Sequence, residues 1–335
     1  MQRRVQRDNG YCRLAAEYVS KQVGRLPREL RGVRRPKDLK RLHQARVLSR
    51  RLRVALNVYG EAFGAKRAKR WRKALKRLLK TLGPARDADV QADLVSRRLG
   101  RVRDRRLRPG LERLLLRLHQ QRRALQPKVV RAMQRFTEDG VLGEMRAAVR
   151  RLRAGLPKDA TARATPVVRR LAHREIEKRL RAVQALADSL EDPSAMQRHH
   201  AMRIAVKHLR YALETFAQAY GRSAKPFITE AKQLQTLLGD VHDCDVWAVR
   251  LEQFLIDERG RTKEYFGTVR PAEALEPGLA WFAEDRRAAR EKVFKKTVRR
   301  WQALERQGCW DDLRTLLTTG AGADADSVAR CKRTS

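Results

Sequence analysis

The sequence predicts an all-α protein made of two pseudo-symmetric antiparallel helical bundles, a duplicated unit. Apolar residues recur at helical spacing in nearly every segment, and no convincing run of alternating β-branched residues is bounded by turn signals. A basic pattern at residues 43–53 returns at residues 200–210, and this period is too long for a solenoid unit. The formal net charge is +40, yet 42% of the 335 residues are hydrophobic, which indicates a folded basic protein and not a disordered tail.

The second predicted helix carries a row of basic side chains. A first helix is predicted over residues 11–31, and Pro36 suits the first turn of the second. Residues at i, i+3, i+7 and i+10 share one helix face, which predicts a single row on the second helix. This row, which we call the first ridge, consists of His43, Arg46, Arg50 and Arg53. The opposite face, from Leu48 to Phe63, is apolar and is expected to face the core.

A row of lysines covers one face of the third predicted helix, residues 65–82. This lysine row consists of Lys66, Lys69, Lys73, Lys76 and Lys80. Gly83 is expected to end the helix as a C′ glycine. Asp87 and Asp89 follow, where a carboxylate can cap the next helix or pair with a neighbouring arginine, and capping is the favoured interpretation.

The middle of the chain is also predicted to be helical. A long basic helix is expected over residues 104–136, with a break near Pro127, and a shorter helix ends near residue 153. The polar, proline-containing stretch 155–166 is the candidate linker. A helix over residues 167–190 then corresponds to the first helix of the chain.

The repeat and the linker predict two domains. The first helical bundle spans residues 1–158 and the second spans residues 159–318, which agrees with the domain number expected for this length. Residues 319–335 are rich in glycine and alanine and are expected to form a flexible tail.

The second half repeats the basic row of the first. Pro193 precedes the second copy by seven residues, as Pro36 precedes the first. The matching row, which we call the second ridge, consists of His200, Arg203, Lys207 and Arg210. A run of charged residues usually marks a helix face that is exposed to solvent. A surface without a function would not be expected to repeat a histidine at the matching position, so the repeat favours a binding role.

A second motif follows each ridge. The sequence LGPARDADV at residues 82–90 returns as LGDVHDCDV at residues 238–246. In this frame Lys232 matches Lys76, and His242 takes the place of Arg86. The helical pattern then continues to about residue 257, residues 258–278 are expected to form a long loop, and residues 280–303 are again helical.

Several classes of site and location are disfavoured. The four cysteines, Cys12, Cys244, Cys309 and Cys331, are scattered without CxxC pairing, which favours free thiols over disulfides or a zinc site. No run approaches the roughly 18 to 20 apolar residues of a membrane span, and the basic N-terminus lacks an apolar leader segment. The sequence therefore predicts a cytoplasmic protein with no membrane contact, no metal and no cofactor.

The repeated histidines leave several chemical roles open. They could be metal ligands, bases that activate a nucleophile, packing residues or donors to phosphate. Neighbouring cations disfavour a divalent metal, and hydrogen bonding to phosphate is the favoured role. Arginine offers a rigid fork that matches phosphate oxygens bidentately, while lysine supplies a compact point charge. A divalent-metal quartet of aspartates is the less favoured alternative to capping for Asp87, Asp89, Asp243 and Asp245.

The paired motifs resemble those of the CHAD family, the conserved histidine α-helical domain. The resemblance rests on HxxRxxxRRLR with LGxxRDxDV, and on HxxRIxxKHLRY with LGDxHDxDV, in the right order over most of the chain. It implies two bundles related by pseudo-twofold symmetry around a basic central cavity that binds inorganic polyphosphate, with no catalysis. It also implies that both ridges face the ligand, with Lys76 and Lys232 in support. We include Lys69, Lys73 and Lys80 of the lysine row in the candidate site.

The sequence therefore predicts non-catalytic binding of inorganic polyphosphate, with a location on polyphosphate granules as one option. The alternative is a nonspecific nucleic-acid-binding, nucleoid-associated protein, for which nucleic acid would be the partner. That alternative rests on net charge, because no helix-turn-helix, zinc-finger or RNA-recognition signature is present. A phosphohydrolase or phosphotransferase is a third hypothesis, but no nucleophile or metal constellation supports it.

Overall fold

The computed structural model describes residues 8–34, 38–157 and 164–319, and in these ranges every regular element is a helix. The predicted all-α class is therefore confirmed. None of the described helices is long and apolar enough to cross a membrane. Pro36, residues 158–163 of the candidate linker, Cys331 and residues 320–335 of the predicted tail lie outside the described residues.

The first series of helices precedes the candidate linker. Its members are α1 (Asn9–Val33), α2 (Leu39–Val58), α3 (Ala65–Leu99), α4 (Arg108–Glu138) and α5 (Val141–Ala154). Two short 3₁₀ helices precede α3 and α4, at Gly60–Phe63 and Arg105–Leu107.

The second series follows the linker. Its members are α6 (Pro166–Gln184), α7 (Met196–Tyr220), α8 (Lys225–Phe266), α9 (Arg270–Glu273), α10 (Glu276–Arg306) and α11 (Cys309–Thr319). A 3₁₀ helix at Gly221–Ala224 separates α7 from α8, in the place where Gly60–Phe63 separates α2 from α3. The second series therefore repeats the order of the first, with α9 as an addition.

Side-chain caps define where three of these helices begin. Asp8 accepts a hydrogen bond from the backbone N–H of Tyr11 at 2.8 Å, and Asp38 accepts one from the N–H of Arg41 at 3.3 Å. Thr165 does the same for Val168 at 3.3 Å. Each cap satisfies a backbone donor that the first turn of a helix leaves without an intrahelical partner.

Helix packing follows the same order in both series. In the first, α2 packs between α1 and α3, α4 packs on α3 and α5 packs on α1. In the second, α7 packs between α6 and α8, α10 packs on α8 and α11 packs on α6. The two series meet where α2 contacts α7 and where α4 contacts α10. Their origin as a duplicated bundle and the domain boundary near residue 158 stay predictions.

The main hydrophobic core extends through both series. Tyr59, which directly follows α2, is fully buried; its hydroxyl donates to the carbonyl of Thr215 at 2.8 Å, and its ring centroid lies 6.1 Å from that of Phe216. A second cluster lies where the later halves of α3 and α8 meet α4 and α10, with Trp247 packed edge-on against Phe282. Trp71 and Trp247 are thus buried core residues.

The predicted end of the third helix at residue 82 is wrong. Helix α3 continues through Gly83 and Pro84 to Leu99. The buried residues Leu82, Ala85, Ala88, Asp89, Ala92 and Val95 extend the apolar face without a break. Packing against α4 and α2 therefore overrides the local helix-breaking preference of the Gly-Pro pair.

The predicted loop at residues 258–278 is also wrong for most of its length. Helix α8 runs on to Phe266, and Glu258 within it is fully buried. The guanidinium groups of Arg113 and Arg117 on α4 bind this carboxylate at 3.0 and 2.6 Å. These ion pairs stabilise the helical conformation of a charged stretch whose sequence is typical of a surface loop.

Three smaller expectations also need correction. Helix α4 passes through Pro127 without a break. Helix α7 begins at Met196, three residues after Pro193, so this proline does not lie in its first turn. The predicted helix over residues 167–190 ends at Gln184, and a 3₁₀ turn follows at Ala187–Leu190.

A further sequence repeat lies where the two series meet. Helices α4 and α10 begin with the same pattern, L-x-P-G-L, at residues 107–111 and 275–279. Gly110 lies so close to the carbonyl of Leu275, and Gly278 so close to that of Leu107, that a Cβ atom at either position would overlap the oxygen. The two glycines therefore permit the close approach of α4 and α10.

We expect Gly278→Ala to lower the free energy of unfolding by about 1–3 kcal/mol, because the new methyl group overpacks a backbone contact that has no flexible side chain to yield. Urea denaturation at pH 7 measures this change. Gly24→Ala is the matched control, since nothing lies within 4 Å of its Cβ position. It should raise stability by about 0.5–1 kcal/mol because alanine is the better helix former. A Gly278→Ala variant as stable as the wild type would contradict the close approach.

Candidate functional site

The first ridge lies along α2 above a buried apolar face. Leu42, Ala45, Leu48 and Leu52 are all less than 2% exposed on the opposite side of this helix. Burial of these residues fixes the rotation of α2 and directs the ridge away from the core. His43 is exposed, and Arg46, Arg50 and Arg53 are half-buried.

The second ridge lies along α7 in the same way. Met202, Val206 and Leu209 are fully buried on the opposite side. The four ridge residues, His200, Arg203, Lys207 and Arg210, are half-buried. Arg210 also forms an ion pair with Glu214 at 3.5 Å and lies over the ring of Tyr211.

The two ridges meet where α2 packs against α7. Arg50 of the first ridge donates to the hydroxyl of Tyr211 on α7 at 3.3 Å. Burial, together with the charges of Arg50, Arg203 and Arg53, lowers the pKa of Lys207 from 10.5 to about 8. Two of these three cations belong to the opposite ridge, so the two rows form one cationic surface.

Each ridge has an arginine that lies against a glycine of the neighbouring long helix. Arg46 donates to the carbonyl of Gly83 at 2.9 Å and to the carboxylate of Asp87 at 3.0 Å. In the second series, the Nε of Arg203 lies 3.7 Å from the position a Cβ of Gly239 would take. Matching arginines of the two ridges thus lie beside the glycines of the two LG motifs. The sequence repeat marked these glycines, but not as part of the site.

The lysine row lies on the face of α3 that looks toward the first ridge. Its five members are exposed, as is Lys232 on α8. Lys76 and Lys80 share the helix face of Gly83 and Asp87, because residues 76, 80, 83 and 87 follow the helical repeat. Since Arg46 contacts that face at Gly83 and Asp87, the lysine row continues the cationic surface of the first ridge along α3.

His43 stands at the end of the first ridge in an open cleft. Burial lowers its pKa, and Arg86, Arg46 and Arg50 lower it further by repulsion. The cleft has a volume of about 420 Å³ and also includes Glu29 and Asp38, so its lining is of mixed charge. A basic central cavity enclosed by both ridges stays a prediction.

His200 stands at the matching end of the second ridge, beside His242. Their Nδ1 atoms lie 3.1 Å apart and their ring centroids 4.1 Å apart. A hydrogen bond between two Nδ1 atoms uses one proton, so the contact requires at least one neutral ring. Burial and the charge of Arg203 lower the pKa of His242 to about 4. The sequence showed His242 only as the residue matched to Arg86, and did not assign it to the site.

The four aspartates lie inside helices, so the prediction that they cap the next helix is wrong. Asp87 pairs with Arg46, buried Asp89 pairs with Arg122 at 2.8 Å, and Asp245 pairs with Arg290. Burial raises the pKa of the fourth, Asp243. The alternative of pairing with arginine thus holds for three of them. Among the described residues, no group of three or more histidine, cysteine or carboxylate side chains is arranged to hold a metal.

Comparisons with known proteins agree with this fold. A family model described as CHAD domain matches residues 17–252. A crystal structure of the CHAD domain from the plant Ricinus communis superposes with a TM-score of 0.56 at 24% identity, covering 84% of this chain and 91% of that chain. At this identity the likeness concerns the fold alone. A comparison with curated proteins finds no match.

We expect Lys207→Met to raise the free energy of unfolding at pH 7 by about 1 kcal/mol, a value that allows for solvent screening of this half-buried charge. The folded state holds the Lys207 ammonium at a pKa of about 8, below its ordinary 10.5, so the charge destabilises the fold. The advantage of the variant should be complete below pH 8 and should fade as the pH rises toward 10.5.

Chemical denaturation between pH 7 and pH 10.5 measures this difference. Lys76→Met on the exposed lysine row is the control, and it should change stability by less than about 0.5 kcal/mol. A lower stability of Lys207→Met would contradict this prediction, because it would show that the charged lysine stabilises the fold despite the neighbouring cations.

Proposed function

The chain belongs to the CHAD domain family, and we propose that it binds inorganic polyphosphate, without catalysis, through the surface formed by the two ridges. The observation that carries this proposal is the position of Lys207. Its ammonium group is partly withdrawn from water and lies among cations of both ridges. A polyanion bound there replaces repulsion with attraction, which offsets the cost of holding these charges together.

The residue types of the site suit a chain of phosphates. Arginine can bind two phosphate oxygens at once, and lysine neutralises charge without a strict geometry. Each ridge extends over eleven residues of helix, and its ten rises give a length of about 15 Å, so it can contact several successive phosphate groups. Binding of this kind releases counterions, and the affinity should therefore fall steeply as the salt concentration rises.

The proposal describes a binding protein and not an enzyme. The ridges offer hydrogen-bond donors and positive charge, and their arginines already have partners that position them, such as Asp87 for Arg46. No step of bond cleavage follows from these contacts. As part of the proposal, the protein is cytoplasmic and associates with polyphosphate granules through the same surface.

Nucleic acid is the competing ligand, and the net charge of +40 is the observation that favours it. Sequence-tolerant binding to single strands relies on aromatic side chains that stack on bases. Trp71 and Trp247 are buried, which removes two of the large aromatic residues from that role. Binding to nucleic acid would then depend on charge alone.

Competition at near-physiological salt tests the proposed ligand. Labelled polyphosphate is bound to the protein and displaced by unlabelled polyphosphate, duplex DNA or single-stranded DNA at equal total charge. We expect polyphosphate to displace the label at least ten times more effectively than either DNA. Equal displacement by all three would show that the protein is a generic polycation.

Paired variants test the proposed surface. Arg46→Ala with Arg203→Ala should weaken polyphosphate binding by about 100-fold, because each change removes a charged hydrogen bond. Arg150→Ala with Arg151→Ala is the matched control, since it removes the same number of charges from exposed positions on α5. Isothermal titration at fixed salt measures both. An equal loss in the two variants would place the ligand elsewhere.

We expect the affinity for polyphosphate to rise as the pH falls from 7.5 to 5.5. Burial and neighbouring cations lower the pKa values of His43 and His200 in the free protein, so both are largely neutral at pH 7. A bound polyanion raises these pKa values, so binding takes up protons, and each histidine contributes up to about tenfold per pH unit. Lys207, with a pKa of about 8, is mostly charged throughout this range.

The same titrations with histidine variants assign the effect. His43→Gln with His200→Gln should flatten the dependence of affinity on pH. His119→Gln, an exposed histidine on α4, should leave it unchanged. A slope that survives in the double variant would exclude these histidines as the source.

A further inference from the structure

The later half of α8 has two apolar faces, and the part of the chain that the structure describes covers only one of them. Trp247, Leu251 and Phe254 are at most 9% exposed and pack into the second core cluster. On the other side, Val246, Val249 and Ile256 are 38%, 72% and 61% exposed. A helix that is apolar on two sides is usually buried on both.

The exposed side chains follow a coiled-coil pattern. Residues 246, 249, 253, 256 and 260 are spaced alternately by three and four, which is the spacing of a and d positions in a heptad. Gln253 and Gly260 are also exposed and complete this stripe. The packing of Trp247 on Phe282 holds the helix in place beneath it. The stripe is thus presented to solvent on a rigid helix.

The charge balance here differs from that of the rest of the chain. Residues 245–266 include four arginines or lysines and five aspartates or glutamates, whereas the whole chain has a net charge of +40. A second copy of a strongly basic protein is repelled by most of the surface, and the local repulsion is weaker at this segment.

We propose that this stripe on α8 is a homodimer interface, in which the later half of α8 binds the same segment of a second copy in antiparallel orientation. The flanking charges select that arrangement, in which Arg259 and Arg250 exchange their present contacts with Glu276 and Gln121 for contacts with the second copy. With Gln253 opposite Ile256 of the second copy, Glu252 faces Arg259 and Arg250 faces Asp257, and symmetry repeats both pairs. A parallel arrangement instead places Glu252 against Asp257.

The interface is small, so the dimer is expected to be weak. Three apolar side chains from each copy form its centre, and exposed Tyr265 and Phe266 extend the apolar surface toward the end of α8. We expect a dissociation constant on the order of 10 µM, at the weak end for specific association. A dimer would present two copies of the ridges to one long polyphosphate chain, a consequence that rests on the proposed function.

Sedimentation velocity of the full chain without polyphosphate tests the interface, so a failure of the proposed function would not affect the result. Salt near 0.3 M screens long-range repulsion between copies. The wild type should shift from monomer to dimer as its concentration rises, whereas Val249→Glu with Ile256→Glu should stay monomeric. Leu116→Glu, an exposed apolar position on α4, is the control and should dimerise as the wild type does.

Charge reversal tests the orientation. Glu252→Arg alone should weaken the dimer at least tenfold, and adding Arg259→Glu should restore it, because the pair is rebuilt with opposite sign across the interface. Thermal melts confirm that each variant is folded. A wild type that is monomeric throughout, or a double reversal that does not restore the dimer, would overturn the proposal. Dimer formation only after deletion of residues 320–335 would also overturn it, since the chain's own tail would then be the occupant.

Discussion

The packing of α2 against α7 is the interaction on which the rest of the site depends. Both helices bury an apolar face in the shared core, and the hydroxyl of Tyr59 ties them together through the carbonyl of Thr215. The carboxylate of Glu214 forms ion pairs with Arg51 of α2 and with Arg210 of α7. The cations of the two ridges are therefore held near one another by burial and pairing beneath them. The cations cannot move apart without disrupting the packed core. The ammonium group of Lys207 therefore stays among like charges, where a bound anion would be stabilising.

The continuity of α3 gives the first ridge its anchor. Because α3 does not end at residue 82, Gly83 and Asp87 lie one turn apart on the same helix face. One guanidinium group, that of Arg46, can then donate to both. A carboxylate that capped a new helix would point its oxygens at backbone N–H groups instead. The helix that the sequence appeared to break thus holds a ridge arginine in a fixed direction.

The two halves of the site differ at one matched position. His43 lies near Arg86, whose charge is permanent, whereas His200 shares a hydrogen bond with His242, whose pKa is lowered to about 4. At this position the first half carries the charge of Arg86 across the physiological range, whereas His242 of the second half is neutral at pH 7. The two half-sites therefore differ in charge at this matched position at neutral pH.

The sequence by itself determined the helical class, the apolar faces and the composition of each ridge, because helical periodicity is a local property of residues three and four apart. Only the tertiary structure decided that Arg50 meets Tyr211, that Asp89 pairs with Arg122 and that Glu258 is buried as part of a helix. These contacts join residues far apart in the chain, and their geometry depends on how the helices pack. Packing can also carry a helix through Gly83 and Pro84, since burial of an unbroken apolar face outweighs the local cost of two poor helix formers.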